Sequence, residues 1–279
     1  MRVRLFSATV LVALVTMVIL VAPASAVLDG QKDVGNIYSN VGMIAADFGD
    51  GVLVQIGSCT LVDKGVVLTA AHNVDLGVGA DAFRVSFEVN PTPDNPASDT
   101  YYAVDRFEII PGYQSDSLAG IKDDSKRYLR RDDVALVWLE EAPDIAPATI
   151  VGSAGLNTLD LKRTRFTVVG YGTTEIVSGS LMSWRNPNTQ LLFDGRNYKE
   201  VRVINDSEVY HERYLKTSSA TAFGDSGGPT FYRGTVVADT VWGESMRAAS
   251  PGYQYRLDSP AAQAFLRTYL PADRFVSLQ

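Results

Sequence analysis

Short apolar runs broken by Gly, Pro, Asn and Asp occupy most of the chain. They predict strands at residues 51–56, 66–68, 83–89, 101–110, 134–139, 165–169, 201–204 and 235–241. In Arg84-Val85-Ser86-Phe87-Glu88-Val89 polar and apolar side chains alternate, the period of a strand with one buried face. There is no fixed-period repeat and no low-complexity tract. Many short strands joined by polar turns predict an all-β sandwich or barrel. The end of the chain reads differently. Ser259 offers an N-cap, Pro260 a first-turn residue and Pro271 a stop, so residues 261–270 predict a helix. Phe265, Leu266, Tyr269 and Leu270 fall on one of its faces, which should dock against the sheets.

Residues 1–26 depart from this pattern. Arg2 and Arg4 precede a nearly unbroken apolar stretch to residue 21, and Ala24-Ser25-Ala26 supplies the small residues that a signal peptidase requires. The segment predicts an export signal cut after Ala26; an uncleaved anchor is the competing reading, and the A-x-A site favours cleavage. The product would be secreted, starting at Val27, with no stable membrane association. Two of the 25 basic residues lie in the signal, which leaves 23 against 32 acidic ones and a formal charge of −9. An acidic chain without a basic block is a poor nucleic-acid binder. The hydrophobic fraction of 46% excludes a disordered chain. Cys59 is the single cysteine, so no disulfide can form within the chain and stability must come from a packed core.

Three segments carry chemistry. Gly224-Asp225-Ser226-Gly227-Gly228-Pro229 surrounds a serine with small residues that permit a sharp turn and close approach by a substrate carbonyl. A serine hydroxyl needs a base of near-neutral pKa, and Leu68-Thr69-Ala70-Ala71-His72 offers one at a strand end. The other histidine, His211, sits in a polar stretch and reads as an ordinary surface side chain. Asp133, directly before the apolar Val134-Ala135-Leu136-Val137, can accept the imidazole N–H; Asp132 competes, but Asp133 abuts the buried run. The order His, Asp, Ser, with separations of 61 and 93 residues, is that of one convergent class of triad and not of the Ser-first hydrolases. Two long loops, 90–100 and 114–132, lack a recognisable ligand spacing and read as solvated rather than as a calcium or anion site; nucleophilic serine chemistry itself calls for no metal or organic cofactor.

On these residues the mature chain resembles the trypsin/chymotrypsin family of serine peptidases, in the style of its secreted microbial members. Residues 60–72 resemble its first-barrel segment, and Val169-Gly170-Tyr171-Gly172 a Gly-aromatic-Gly turn. Trp242-Gly243 is similar to the strand that lines its cleft, and residues 251–257 to its last strand. The resemblance implies two packed six-stranded antiparallel β-barrels with a C-terminal α-helix. The first barrel would span 27–148 and the second 149–279, together one peptidase domain acting on polypeptides as a monomer. It implies Ser226 as nucleophile, His72 as base, Asp133 as its orienter, and the amides of Gly224 and Ser226 as an oxyanion hole. A non-catalytic binding protein on the same fold is the alternative, and the intact triad argues against it.

The resemblance also exposes departures. Asn73 and Gly57 stand where the family usually pairs two cysteines, and Ala222 where it has another. Cys59 reads as a small buried hydrophobe. A freed Val27 amine would pair with Asp225. Ala220 falls at the base of the primary pocket, with Thr221, Trp242, Gly243 and Gly252 around it. Lacking an acid there, the pocket should prefer an uncharged, medium-to-large residue over Arg or Lys.

Overall fold

The computed structural model describes residues 27, 30–49, 51–93, 95–113, 132–178, 190–204, 213–218, 221–243 and 251–278. The predicted export signal, most of the 114–132 loop, His211 and Ala220 lie outside them.

After β1 (Gln31–Lys32), six strands form a closed barrel: β2 (Val41–Asp47), β3 (Leu53–Asp63), β4 (Val66–Thr69), β5 (Ala82–Ser86), β6 (Tyr102–Ile109) and β7 (Ala135–Leu139). The order around it is β2-β3-β4-β7-β6-β5, with every pairing antiparallel. The short helix α1 (Ala71–Leu76) leaves the end of β4. Ile44, Ile56, Leu61, Val67, Val85 and Val137 pack inside, together with Cys59. Burial pushes the Cys59 thiol far above its ordinary range, which keeps it protonated and inert.

The chain then runs through β8 (Thr149–Val151) into β9 (Arg165–Gly170), β10 (Thr173–Ser178), β11 (Gln190–Phe193), β12 (Asn197–Arg202), β13 (Tyr214–Thr217), β14 (Pro229–Tyr232), β15 (Thr235–Gly243) and β16 (Gly252–Arg256). Strands β10 and β11 pair only with each other. The rest follow the order β12-β9-β14-β15-β16-β13. Just beyond β12, an antiparallel bridge between Val203 and Thr217 brings the last strand back to the first. Ile204 N to Lys216 O and Ser218 N to Arg202 O, both 2.9 Å, complete that closure. The result is a second six-stranded antiparallel barrel beside the first.

The expected architecture is therefore present, with additions. β8 pairs in parallel with β15, and β17 (Phe275–Val276) in parallel with β8. Several strands lie where alternation is absent. β2, Val-Gly-Met-Ile-Ala-Ala-Asp, is buried on both faces because one side fills its barrel and the other meets neighbouring structure, so it shows no period of two. The strand expected at 201–204 begins earlier, at Asn197, where it pairs with Gly170.

Helix α2 (Pro260–Tyr269) follows the expected span closely. Ser259 caps it by accepting the Ala262 N–H at 3.3 Å, and Ala262, Phe265 and Leu266 are buried. Tyr269 stacks edge-on against Trp138 of β7, centroids 5.6 Å apart, so the helix closes back on the first barrel.

One charged contact ties the barrels together. Arg196 is fully buried, and its Nε donates to Asp33 Oδ2 at 2.9 Å. Its Nη1 reaches the carbonyl oxygens of Val41 (2.8 Å) and Phe87 (3.1 Å) and the Tyr171 hydroxyl (3.0 Å), while Nη2 donates to Asn36 Oδ1. Asp33 in turn accepts the amides of Ile37 (2.7 Å) and Tyr38 (3.0 Å). A guanidinium can be buried only when its donors are satisfied in this way. Replacing Arg196 by Met should lower stability by about 3–5 kcal/mol, because Asp33 is left buried without its cation. The double variant Arg196→Met/Asp33→Asn should lose less, as urea denaturation will show.

Candidate active site

Strand β4 ends at Thr69, and Ala70 in an extended conformation turns the chain into α1. Small buried residues at 70 and 71 let the helix start against the barrel, which places His72 at its second position. Asp133, two residues before β7, meets it there. Its Oδ1 accepts the His72 main-chain N–H at 2.9 Å and its Oδ2 lies 2.8 Å from Nδ1. Gripping backbone and ring at once fixes the imidazole and assigns the proton to Nδ1, leaving Nε2 to act as acceptor. The Asp133 side chain is 5% exposed and that of His72 23%, so the acid is shielded while the ring edge reaches solvent. Asp132 points elsewhere, accepting the Tyr255 hydroxyl at 2.9 Å.

The serine loop is held by the opposite barrel. The Ser226 carbonyl accepts Ser58 N at 2.7 Å and Asn73 Nδ2 at 2.8 Å. Ser58 Oγ donates to Gly224 O at 2.7 Å and accepts Tyr171 N at 2.9 Å. Thr69 Oγ1 joins the same lattice, donating to Ser58 O at 2.7 Å and accepting Asn73 Nδ2 at 2.9 Å. Packing this close excludes side chains: a Cβ on Gly227, where φ is +79°, would lie 2.2 Å from Thr69 Oγ1 and 2.4 Å from Ser58 O. Among the described residues the amides of Asp225, Gly227 and Gly228 donate within the protein, to Ala222 O, Thr240 O and Asp225 O. Those of Gly224 and Ser226 do not, and so remain available to an oxygen placed before Ser226.

Asp225 points the other way, into the second barrel, and is fully buried. Its carboxylate accepts Gly172 N and Ala222 N, each at 2.8 Å, and the Val27 N–H. A Cβ on Gly170 or Gly172 would lie 2.3 Å from its oxygens, which explains the glycines on either side of Tyr171. Burial pushes the Asp225 carboxyl up to about 6, against the pull of those three N–H groups. Val27 is buried with φ +51°, a left-handed conformation that a β-branched residue resists.

Of the expected pocket residues, Thr221, Trp242, Gly243 and Gly252 come together. Gly243 pairs with Gly252 across β15 and β16, and a Cβ on Gly243 would lie 2.6 Å from Thr221 O. Trp242 packs its ring on Tyr253, centroids 5.2 Å apart. Ala220 lies outside the described residues. Sequence reading overlooked Ser58, Thr69 and the polar role of Asn73, whose only signal was that a cysteine is usual at that position.

The family profile described as Trypsin matches residues 41–261 of this chain. Among solved structures, neuropsin, a serine protease expressed in the limbic system of mouse brain, superimposes with a TM-score of 0.59 at 15% identity. The match covers 86% of this chain and 98% of that one, a likeness of fold. A search of curated proteins finds no match.

Asn73 fills the space that the usual cysteine pair would take. A Cβ on Gly57 would lie 2.1–2.7 Å from its amide atoms. The pair Gly57→Cys with Asn73→Cys should therefore oxidise to a disulfide, visible as a loss of two mass units. The bridge should stabilise that variant by about 3 kcal/mol against its own reduced form, given a loop of roughly 15 residues.

Proposed function

Because the chain belongs to the trypsin family and is a serine endopeptidase, we propose that Ser226 is its nucleophile, His72 its base and acid, and Asp133 the group that orients His72. The observation that carries this reading is the double grip of Asp133 on His72, at 2.9 Å to the backbone and 2.8 Å to Nδ1. As Ser226 Oγ attacks a peptide carbonyl, its proton passes to His72 Nε2. Asp133 stabilises the imidazolium, and the amides of Gly224 and Ser226 receive the oxyanion. His72 then returns the proton to the leaving amine, and water reverses the sequence on the acyl-enzyme. The primary pocket formed by Ala220, Thr221, Trp242, Gly243 and Gly252 takes an uncharged, medium-to-large side chain.

The site would become competent on removal of residues 1–26, with the product exported and active as a monomer. Three features support the activation step. Val27 is buried, its nitrogen faces Asp225, and its φ of +51° is a torsion that exists only while residue 26 is attached. Cleavage abolishes that torsional constraint and converts an amide donor into an ammonium beside a buried carboxylate, a much stronger pairing. No helix among the described residues is long and apolar enough to cross a membrane.

A fluorophosphonate probe should label the protein beginning at Val27 on Ser226 and leave Ser226→Ala unlabelled; labelling of both would overturn the assignment. Asp133→Asn should lower kcat by about 10⁴ with KM little changed, since the amide favours the wrong imidazole tautomer. The activation step has its own pH signature. With one residue added ahead of Val27, the folded Asp225 carboxyl near 6 lies above its unfolded value of 3.8, so the folded state binds the extra proton. Stability should then fall as pH rises from about 4 to above 6, by about 3 kcal/mol. The protein beginning at Val27 should show a smaller loss in urea denaturation over the same range.

A further inference from the structure

Strand β15 carries one residue at odds with its surroundings. Asp239 follows Val236-Val237-Ala238 in an almost wholly buried run and is itself fully buried. Neither of its carboxyl oxygens has a hydrogen-bond partner among the described residues. An acid placed there without partners costs folding stability that a valine would not.

The register shows what it faces. Asp239 stands opposite Tyr255 of β16, and Tyr255 opposite Tyr214 of β13. Directly opposed residues share a sheet face, so Asp239, Tyr255 and Tyr214 form one row. The Tyr214 and Tyr255 rings meet edge to face, centroids 5.5 Å apart. That row packs on the segment that carries the catalytic acid: the Tyr255 hydroxyl donates to Asp132 Oδ1 at 2.9 Å, and Asp132 also faces Arg213 at 3.5 Å. On the other side Asp239 stands opposite Pro229 of β14, which brings no charge. Among the described residues the titratable groups around it are Asp133, Asp132, Tyr214 and Tyr255.

We propose that Asp239 is a positioning residue acting through Asp133, presenting an uncharged carboxyl group to its buried side and so setting how strongly Asp133 holds the His72 imidazolium. The proposal rests on the reading of His72 and Asp133 as the catalytic pair. The Asp133 charge acts on Asp239, and two carboxyl groups close enough to feel one another out of water do not both ionise. Asp133 is bonded to two N–H groups of His72, whereas Asp239 is approached only by its own main-chain N–H, so the charge belongs on Asp133. Burial first, and then the Asp133 charge, drive the Asp239 carboxyl well above the ordinary range. Tyr214 is driven up by the same burial, so the row stays neutral. A neutral acid dipole beside Asp133 stabilises its anion and keeps it from drawing the proton off His72. Remove that dipole and the Asp133 anion leans on His72 alone, which makes the imidazole more basic.

Asp239→Asn and Asp239→Val separate these effects. Asn preserves a neutral polar group of the same shape, and Val leaves only the packing. The acid limb of kcat/KM should move up by about one pH unit in the Val protein and stay within about 0.3 unit in the Asn protein. The chain has only two histidines, so the His72 imidazole can be followed by NMR after assignment with His211→Gln. In the Ser226→Ala background its protonation midpoint should show the same pattern without any turnover. Equal midpoints in wild type, Asn and Val overturn the proposal. So does a downward shift of about one unit in the Asn protein, which would mean that Asp239 carries charge. If Val does not fold, Asp239→Ala makes the same comparison. Absence of fluorophosphonate labelling in the wild type would instead overturn the catalytic reading, and this inference with it.

Discussion

The carbonyl oxygen of Ser226 is where the two barrels are fastened at the site. It accepts Ser58 N from the first barrel at 2.7 Å and Asn73 Nδ2 from the helix carrying His72 at 2.8 Å. The proposed proton transfer between Ser226 and His72 requires their separation to be held to a few tenths of an ångström, and they belong to different barrels. The two donors set that separation through backbone and amide geometry. Around them, Thr69 and Ser58 satisfy one another, and Gly227 leaves room for the contact. Such a network is strong only while every member is paired, so the glycines and hydroxyls around Ser226 work as a unit.

Polar side chains here take the place of covalent ties. With Cys59 alone, no bridge can shorten the unfolded chain. Asn73 occupies the space beside Gly57 and adds hydrogen bonds to both Thr69 and Ser226, which a disulfide would not supply. Arg196 and Asp33 fasten the N-terminal segment and both barrels at a second point. Buried ion pairs of this kind add little net stability over a hydrophobic pair, but breaking one partner is costly. They therefore define which surfaces meet more than how firmly.

Three buried carboxyl groups lie around the site, and each is handled differently. Asp133 is held by two nitrogens of His72, one on the backbone and one on the ring. Asp225 accepts three main-chain N–H groups, among them that of Val27, and burial still lifts it to about 6. The Asp239 side chain has no partner among the other described residues, and burial pushes its carboxyl well above the ordinary range. The partners, not the residue type, decide the charge.

Much of this was legible along the chain. The all-β class followed from short runs and turn residues. The span of α2 followed from Ser259, Pro260 and Pro271, because capping is local chemistry. The contact of His72 with Asp133 was foreshadowed by a histidine after small residues at a strand end and an acid before an apolar run, and the proposed nucleophile Ser226 by the glycines around it. Other features had no local signal. β2 and β14 lack alternation because both faces are covered, and only barrel closure decides that. Ser58 and Asp239 look like ordinary strand residues. What gives them roles is the register that sets Ser58 against Ser226, 168 residues away, and Asp239 against Tyr255. Sequence alone determined the class of fold, the capped helix and the residue types of the proposed triad, since these depend on neighbours in the chain. Tertiary structure decided which polar groups meet, which carboxyls burial pushes up and how the barrels are fastened, since desolvation and hydrogen bonding depend on neighbours in space.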